Sequence, residues 1–296
     1  GGSVPTMKER SLVFFTIFSQ AAVGTFLATL ILQIAHRFRP QTSSENAFAI
    51  FNLSTYLLMV CFALMGISLL ISFAHLGAPR RAVRAIRNTN RSWLSREILF
   101  GLLFLAFTGL AVLSFLLPAL LSTSMLTSLL GGLICGLALI YSMARVYMQK
   151  TVPGWNTPRT LLTFSLTALS LGCLVTALGL SLTVPTGDAW APLTALQFGR
   201  AAALWLTLQL TLSIFLQPHP LPENAVRPGQ RRVSPLPSTH PGWEAFFSLL
   251  AAISALLPAL LVGTAWPFYL VSLCLAFVSE SIARREFYLS YWRFGI

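Results

Sequence analysis

Between Ser11 and Ile282 the chain alternates eight long apolar stretches with short polar segments, and almost no charge falls inside the apolar ones. Crossing a bilayer takes about 20 apolar residues in helical form. The stretches lie at 11–35, 47–74, 94–117, 122–147, 160–183, 192–216, 243–263 and 266–282. Hydrocarbon offers the backbone no hydrogen bonds, so helices, which satisfy their own, are selected over open strands. The expected fold class is an all-α membrane protein of eight transmembrane helices in two groups of four. The last two spans are the weakest, because Pro258, Gly263 and Pro267 crowd their junction.

This pattern divides the chain. Residues 1–10 read as an N-terminal tail, with 1–6 (GGSVPT) ahead of Met7 as a cloning remnant. Residues 11–147 hold helices one to four, 148–159 a connecting loop, and 160–282 helices five to eight. Residues 283–296 form a C-terminal tail. Segment 217–242 is rich in proline and polar residues and reads as a linker without a core. The first apolar run is long enough to span and lacks an A-x-A-like exit, so no cleavable signal peptide is expected.

Charge is scarce at 9% of residues, but the net charge is +12 and its placement is one-sided. Eight spans put both termini and the 2–3, 4–5 and 6–7 loops on one face. That face collects Lys8, Arg10, the arginines from Arg80 to Arg96, Arg145, Lys150, Arg159, Arg227, Arg231, Arg232, Arg284, Arg285 and Arg293. The other has Arg37 and Arg39, with Arg200 near the start of span six. The positive-inside bias therefore puts both termini in the cytoplasm. Basic residues at membrane exits do not make a nucleic-acid surface. No charge is expected near a bilayer midplane, which argues against an ion-coupled transporter.

Redox cofactors within the chain are disfavoured. A bis-histidine haem needs two axial histidines on facing helices. The chain has His36, His75, His219 and His240, none inside a span. Cys61, Cys135, Cys173 and Cys274 form no C-x-x-C and read as packing residues, with no metal site.

The stretch that carries chemistry is HLGAPRRAVRAIRNTNRSWLSRE, from His75 to Glu97. It leaves and re-enters one membrane face, which brings His75 and Glu97 to one depth. Glu97 falls in the first turn of a helix capped by Ser92 or Ser95, where the dipole stabilises a carboxylate. That alone would explain it, as an unliganded interfacial imidazole would explain His75. The functional reading is proton handling for a lipid-soluble quinol. A neutral imidazole accepts a hydroxyl proton near working pH, and a nearby carboxylate anchors or relays the second. Arg80, Arg84 and Arg87 form one stripe of a short helix. The stripe either grips anionic headgroups or docks an acidic partner. Arg145 and Tyr147 end span four, and Trp155 lies in the following loop. Arg145 reads equally as a positive-inside anchor. Glu280 and Arg284 form an i, i+4 pair taken as structural.

At these residues the chain resembles the dimethyl sulfoxide reductase anchor subunit family (DmsC-like), within the NrfD/polysulfide-reductase type of quinone-interacting anchors. VFFTIFSQAAVGTF resembles its opening helix. HLGAPRRA with LSREI, RVYMQKTVPGWNT and EFYLSYWRFGI resemble its later motifs. About a quarter of the chain carries the likeness, the 2–3 loop block most specifically. The resemblance implies an eight-helix anchor beside an iron–sulfur, ferredoxin-like subunit and a molybdopterin catalytic subunit. It maps a quinol-site histidine and glutamate onto His75 and Glu97, and Arg81 and Trp155 fall in matching motifs. The family's termini are usually drawn on the outer face. Either this chain works on the cytoplasmic side or its arginines serve docking; the arginine bias favours the inside.

The leading expectation is therefore a quinol-oxidising anchor using menaquinol or a similar quinol, or the reverse reaction at the same site. The alternatives are a structural anchor without quinone chemistry and a small-solute transporter.

Overall fold

The computed structural model describes residues 7–38, 44–76, 92–149, 155–183, 190–215, 242–260 and 264–289. Eight helices run through them: α1 (Met7–Arg37), α2 (Ser44–Leu76), α3 (Trp93–Leu116), α4 (Pro118–Tyr147), α5 (Pro158–Thr183), α6 (Trp190–Phe215), α7 (Trp243–Leu256) and α8 (Trp266–Leu289). No strand occurs among the described residues. Seven helices are long and apolar enough to cross a membrane, and α7 with its closing 3-10 turn at Leu257–Ala259 is a shorter apolar helix. The chain is a multi-pass, all-α membrane protein. The linker at 217–242 lies outside the described residues, apart from Gly242 at the start of α7.

Two departures from the expected spans have local causes. Pro258 cannot continue the α7 hydrogen-bond ladder, so the helix tightens into a 3-10 turn and stops short of 263. Three serines tie this short helix to α8. Ser279, Ser272 and Ser254 donate to the carbonyls of Glu244, Ala251 and Phe268 at 2.9, 2.7 and 2.8 Å. The last helix instead continues past 282 to Leu289. Its charged residues lowered the hydropathy at that point, but Glu280 and Arg284 turn inward.

The α3–α4 hairpin is the tightest connection, with Leu117 alone between the helices and Pro118 opening α4. Proline suits the first helical position, where its missing N–H is not needed. Non-helical dihedrals at Leu121 kink α4 just inside, and Ser114 and Ser124 hydroxyls meet across the hairpin at 3.1 Å.

Two apolar cores fill the bundle, and α1, α2 and α5 contribute to both. The two expected groups of four are thus interlocked rather than merely adjacent. The lock is the crossing of α1 on α5. A Cβ on Gly24 would strike the Ala168 backbone, and one on Gly172 would strike the Gly24 backbone. Without a hydrophobic drive between helices in lipid, such close backbone approach supplies the packing energy.

Gly24→Ala and Gly172→Ala should therefore each lower the thermal unfolding midpoint of the detergent-solubilised protein. Overpacking costs about 1–3 kcal/mol, and here the obstacle is backbone, which cannot swing aside. Gly66→Ala, where nothing lies within 4 Å of the added carbon, should leave the midpoint unchanged.

Candidate functional site

The start of α3 is set by Ser92, whose backbone is extended (φ −119°, ψ 121°) and whose side-chain oxygen accepts the Ser95 N–H at 3.3 Å. Ser92, not Ser95, is the cap. Glu97 is therefore one turn into the helix rather than in its first turn, so dipole stabilisation is weakened there. Packing against α2 fixes the level. Gly101 faces Met65 and Leu69, and Gly109 faces Phe62. Continuing that antiparallel register brings the end of α2, where His75 lies, level with the start of α3. The His75 side chain is outside the described residues, as are Arg80, Arg81, Arg84 and Arg87.

Glu97 is 3% exposed, and its Oε1 has no hydrogen-bond partner. It is the one acidic side chain among the buried partnerless groups of the described residues. Leaving a buried polar atom unpaired costs about 1–3 kcal/mol, more for a charged group. A helix dipole does not account for a carboxyl kept in that state.

Sequence-distant aromatics cluster at the ends of α4 and α8. Tyr147, the last residue of α4, is buried and packs edge-on against Trp155, Phe164 and Phe287 at 5.6, 5.8 and 5.6 Å. The Tyr288 hydroxyl donates to Tyr147 at 3.2 Å or to Thr16 at 3.4 Å. The Glu97 carboxyl lies within electrostatic range of both phenols. Trp155 is buried, stacks on Phe287 at 5.2 Å and donates its indole N–H to the Phe287 carbonyl at 2.9 Å. Its polar atom is thus committed to holding the end of α8 against the 4–5 loop.

One turn before Glu97, on the same face of α3, Trp93 carries two guanidinium groups. Arg96 lies 4.2 Å and Arg145 5.1 Å from its ring, with Tyr141 edge-on at 5.7 Å. Arg145 Nε is buried without a hydrogen-bond partner.

The expectation of no charge deep in the bundle is overturned. Glu280 and Arg284, each 2% exposed, lie inside α8, and Glu280 is about 13 Å along the axis from Leu289. Thr167 and Gln209 donate to the two Glu280 oxygens at 2.9 and 2.6 Å. Arg284 Nη2 donates to Gln20 at 3.0 Å and Thr167 at 3.3 Å, and the guanidinium lies 3.9 Å from the Phe164 ring centroid. Gln20 Nε2 in turn reaches the Met143 sulfur at 3.4 Å. The network joins α1, α4, α5, α6 and α8. The i, i+4 spacing predicts the pair but neither its depth nor its partners. The available signal was glutamine inside two apolar spans, Gln20 and Gln33 in one and Gln197 and Gln209 in the other, of which Gln20 and Gln209 join the network.

Known proteins share this chain's pattern. The family model for the DMSO reductase anchor subunit (DmsC) matches residues 5–289. An anaerobic dimethyl sulfoxide reductase chain of Escherichia coli is 32% identical over 62% of this chain and 61% of its own. The chain of the same name from Haemophilus influenzae is 31% identical over 54% of each. A sulfite dehydrogenase subunit of Allochromatium vinosum is 32% identical over 56% of this chain and 53% of its own. The matches thus span less than two thirds of these relatives' length. No solved structure gives a significant match.

The buried pair generates a double-variant prediction. Arg284→Met leaves Glu280 uncompensated and should cost about 3–5 kcal/mol, read as lost thermal stability or folded yield. Adding Glu280→Gln removes the stranded charge, and the double variant should recover most of that loss.

Proposed function

The chain belongs to the DMSO reductase anchor subunit (DmsC) family, and on that premise we propose that it anchors an oxidoreductase complex and handles the protons of a membrane quinol, of menaquinol type, at the His75–Glu97 end of the bundle. Its partners in this reading are an iron–sulfur subunit and a molybdopterin catalytic subunit, docked on the face that carries Arg80, Arg84 and Arg87. The arginine bias puts that face and both termini on the inside of a prokaryotic cytoplasmic membrane.

One observation carries the reading: the partnerless Oε1 of buried Glu97. A carboxylate oxygen is an acceptor, and a quinol hydroxyl is the donor it lacks. Tyr147, Phe287 and Tyr288 form one aromatic cluster, and its two phenols, within electrostatic range of Glu97, hydrogen-bond each other and Thr16. A mostly apolar site with few placed polar groups is what a lipid-soluble ring requires.

The chain's own part is proton chemistry. Glu97 accepts the hydrogen bond of one hydroxyl and takes or relays its proton. His75, brought level by the α2–α3 register, accepts the other as a neutral imidazole. Oxidation of one quinol releases two protons and two electrons. The electrons leave to the nearest cluster of the iron–sulfur subunit, so no haem is needed in this chain. Run backwards, the same groups protonate a quinone. Arg81, in the matching motif, is a further candidate in this reading, and Trp155 contributes by fixing Phe287 rather than by offering its N–H.

In the purified complex, Glu97→Gln should lower quinol-dependent turnover by about a hundredfold or more, the usual scale for losing an acid–base group. Turnover driven by a reduced viologen, which bypasses the membrane subunit, should be unchanged. His75→Arg should behave the same way. Normal quinol turnover in both variants would overturn the assignment.

A further inference from the structure

Glu97 and His75 are proton acceptors in this reading, and the α3–α4 seam adds an unused donor. Arg145 Nε is buried and has no hydrogen-bond partner. Its guanidinium is held over Trp93 at 5.1 Å, and Trp93 is one helical turn from Glu97 on the same face of α3. The indole is fixed from its other neighbours by Arg96 at 4.2 Å and by the edge of Tyr141 at 5.7 Å. One buried donor and one buried acceptor, both unpaired, thus share one seam at one end of the bundle.

We propose that Arg145 is a quinol-binding residue, donating its Nε–H to the ring oxygen while Glu97 and His75 take the protons. The inference rests on the quinol reading and extends it to a residue that positive-inside anchoring would otherwise explain. Arginine suits the position because it keeps its proton throughout. Each O–H bond that breaks sends its hydrogen to Glu97 or His75, and both electrons leave to the iron–sulfur subunit. Arg145 gives up no proton. It stabilises the negative charge that develops on the oxygen as the proton departs, and it holds the carbonyl formed there by the same N–H. A charge-assisted hydrogen bond in a dry seam is stronger than a neutral one, and stacking on Trp93 fixes the guanidinium plane in advance.

Leu94, beside Trp93 in α3, and Tyr141, packed on the Trp93 ring, are 49% and 46% exposed and give an apolar surface next to the indole. An apolar tail lying along that surface needs no tunnel through the bundle.

The test is steady-state kinetics of the purified complex with a short-chain menaquinol analogue and, separately, reduced viologen. Arg145→Gln should raise KM for the quinol roughly tenfold or more, the scale of a lost hydrogen bond to a charged group. Viologen-driven turnover should stay at the unsubstituted level. Arg145→Lys keeps the charge but loses the planar stack and the Nε–H, and should raise KM several-fold. It also decides the case if Arg145→Gln fails to assemble. Quinol KM and kcat within twofold of the unsubstituted complex in Arg145→Lys and Arg145→Gln would overturn the proposal. That result with loss of bound anionic lipid would assign Arg145 to a headgroup. Glu97→Gln measured in parallel separates the two claims. If it abolishes quinol turnover while the Arg145 variants are normal, only the Arg145 role fails. If all are normal, the quinol site itself fails.

Discussion

Hydrocarbon supplies no hydrogen bonds, so each polar group brought inside this bundle must find a partner in the protein or remain at a cost. The architecture follows from that constraint. The backbone closes on itself in helices, and buried hydroxyls such as Thr29, Ser142 and Thr167 bond carbonyls a turn away. Helices approach closely where side chains vanish, as at Gly24 and Gly172. α7 is attached to α8 by serines reaching across to backbone oxygens.

Two buried carboxylates obey the constraint in opposite ways, and the contrast separates structure from chemistry. Glu280 is fully compensated: Thr167, Gln209 and Arg284 surround it, and Gln20 accepts from the arginine. Such an ion pair contributes little net stability, because desolvation offsets the attraction, but losing one partner is costly. Its effect is to fix how five helices meet. Both oxygens of this carboxylate are occupied by donors from other helices, the arrangement of a structural group. Glu97 has the same burial with an oxygen left open. That difference, not burial, is what supports the role proposed for Glu97.

Much of this was legible before any coordinates. Eight apolar runs specify eight helices, and the return of one loop to its own face puts the ends of α2 and α3 that carry His75 and Glu97 at one level. What the sequence hid was tertiary. Hydropathy ends the last span at 282, because a sliding average cannot know that Glu280 and Arg284 face Gln20, Thr167 and Gln209 on other helices. Nothing local predicts that Tyr288 meets Tyr147, 141 positions away, or that Trp155 spends its N–H on Phe287. The cap of α3 was an even choice between Ser92 and Ser95. With Ser92 as the cap, Glu97 falls beyond the first turn, and its burial comes from packing that no local signal specifies.

The central claim is that buried Glu97 keeps an oxygen open for a quinol hydroxyl. It is tested most directly by titrating a fluorescent quinol-site inhibitor into the purified complex, with and without Glu97→Gln. The account predicts saturable binding near one inhibitor per complex, quenched on occupancy and lost in the variant. Unsaturable partitioning into the unsubstituted complex, or identical saturable binding in both, would contradict it.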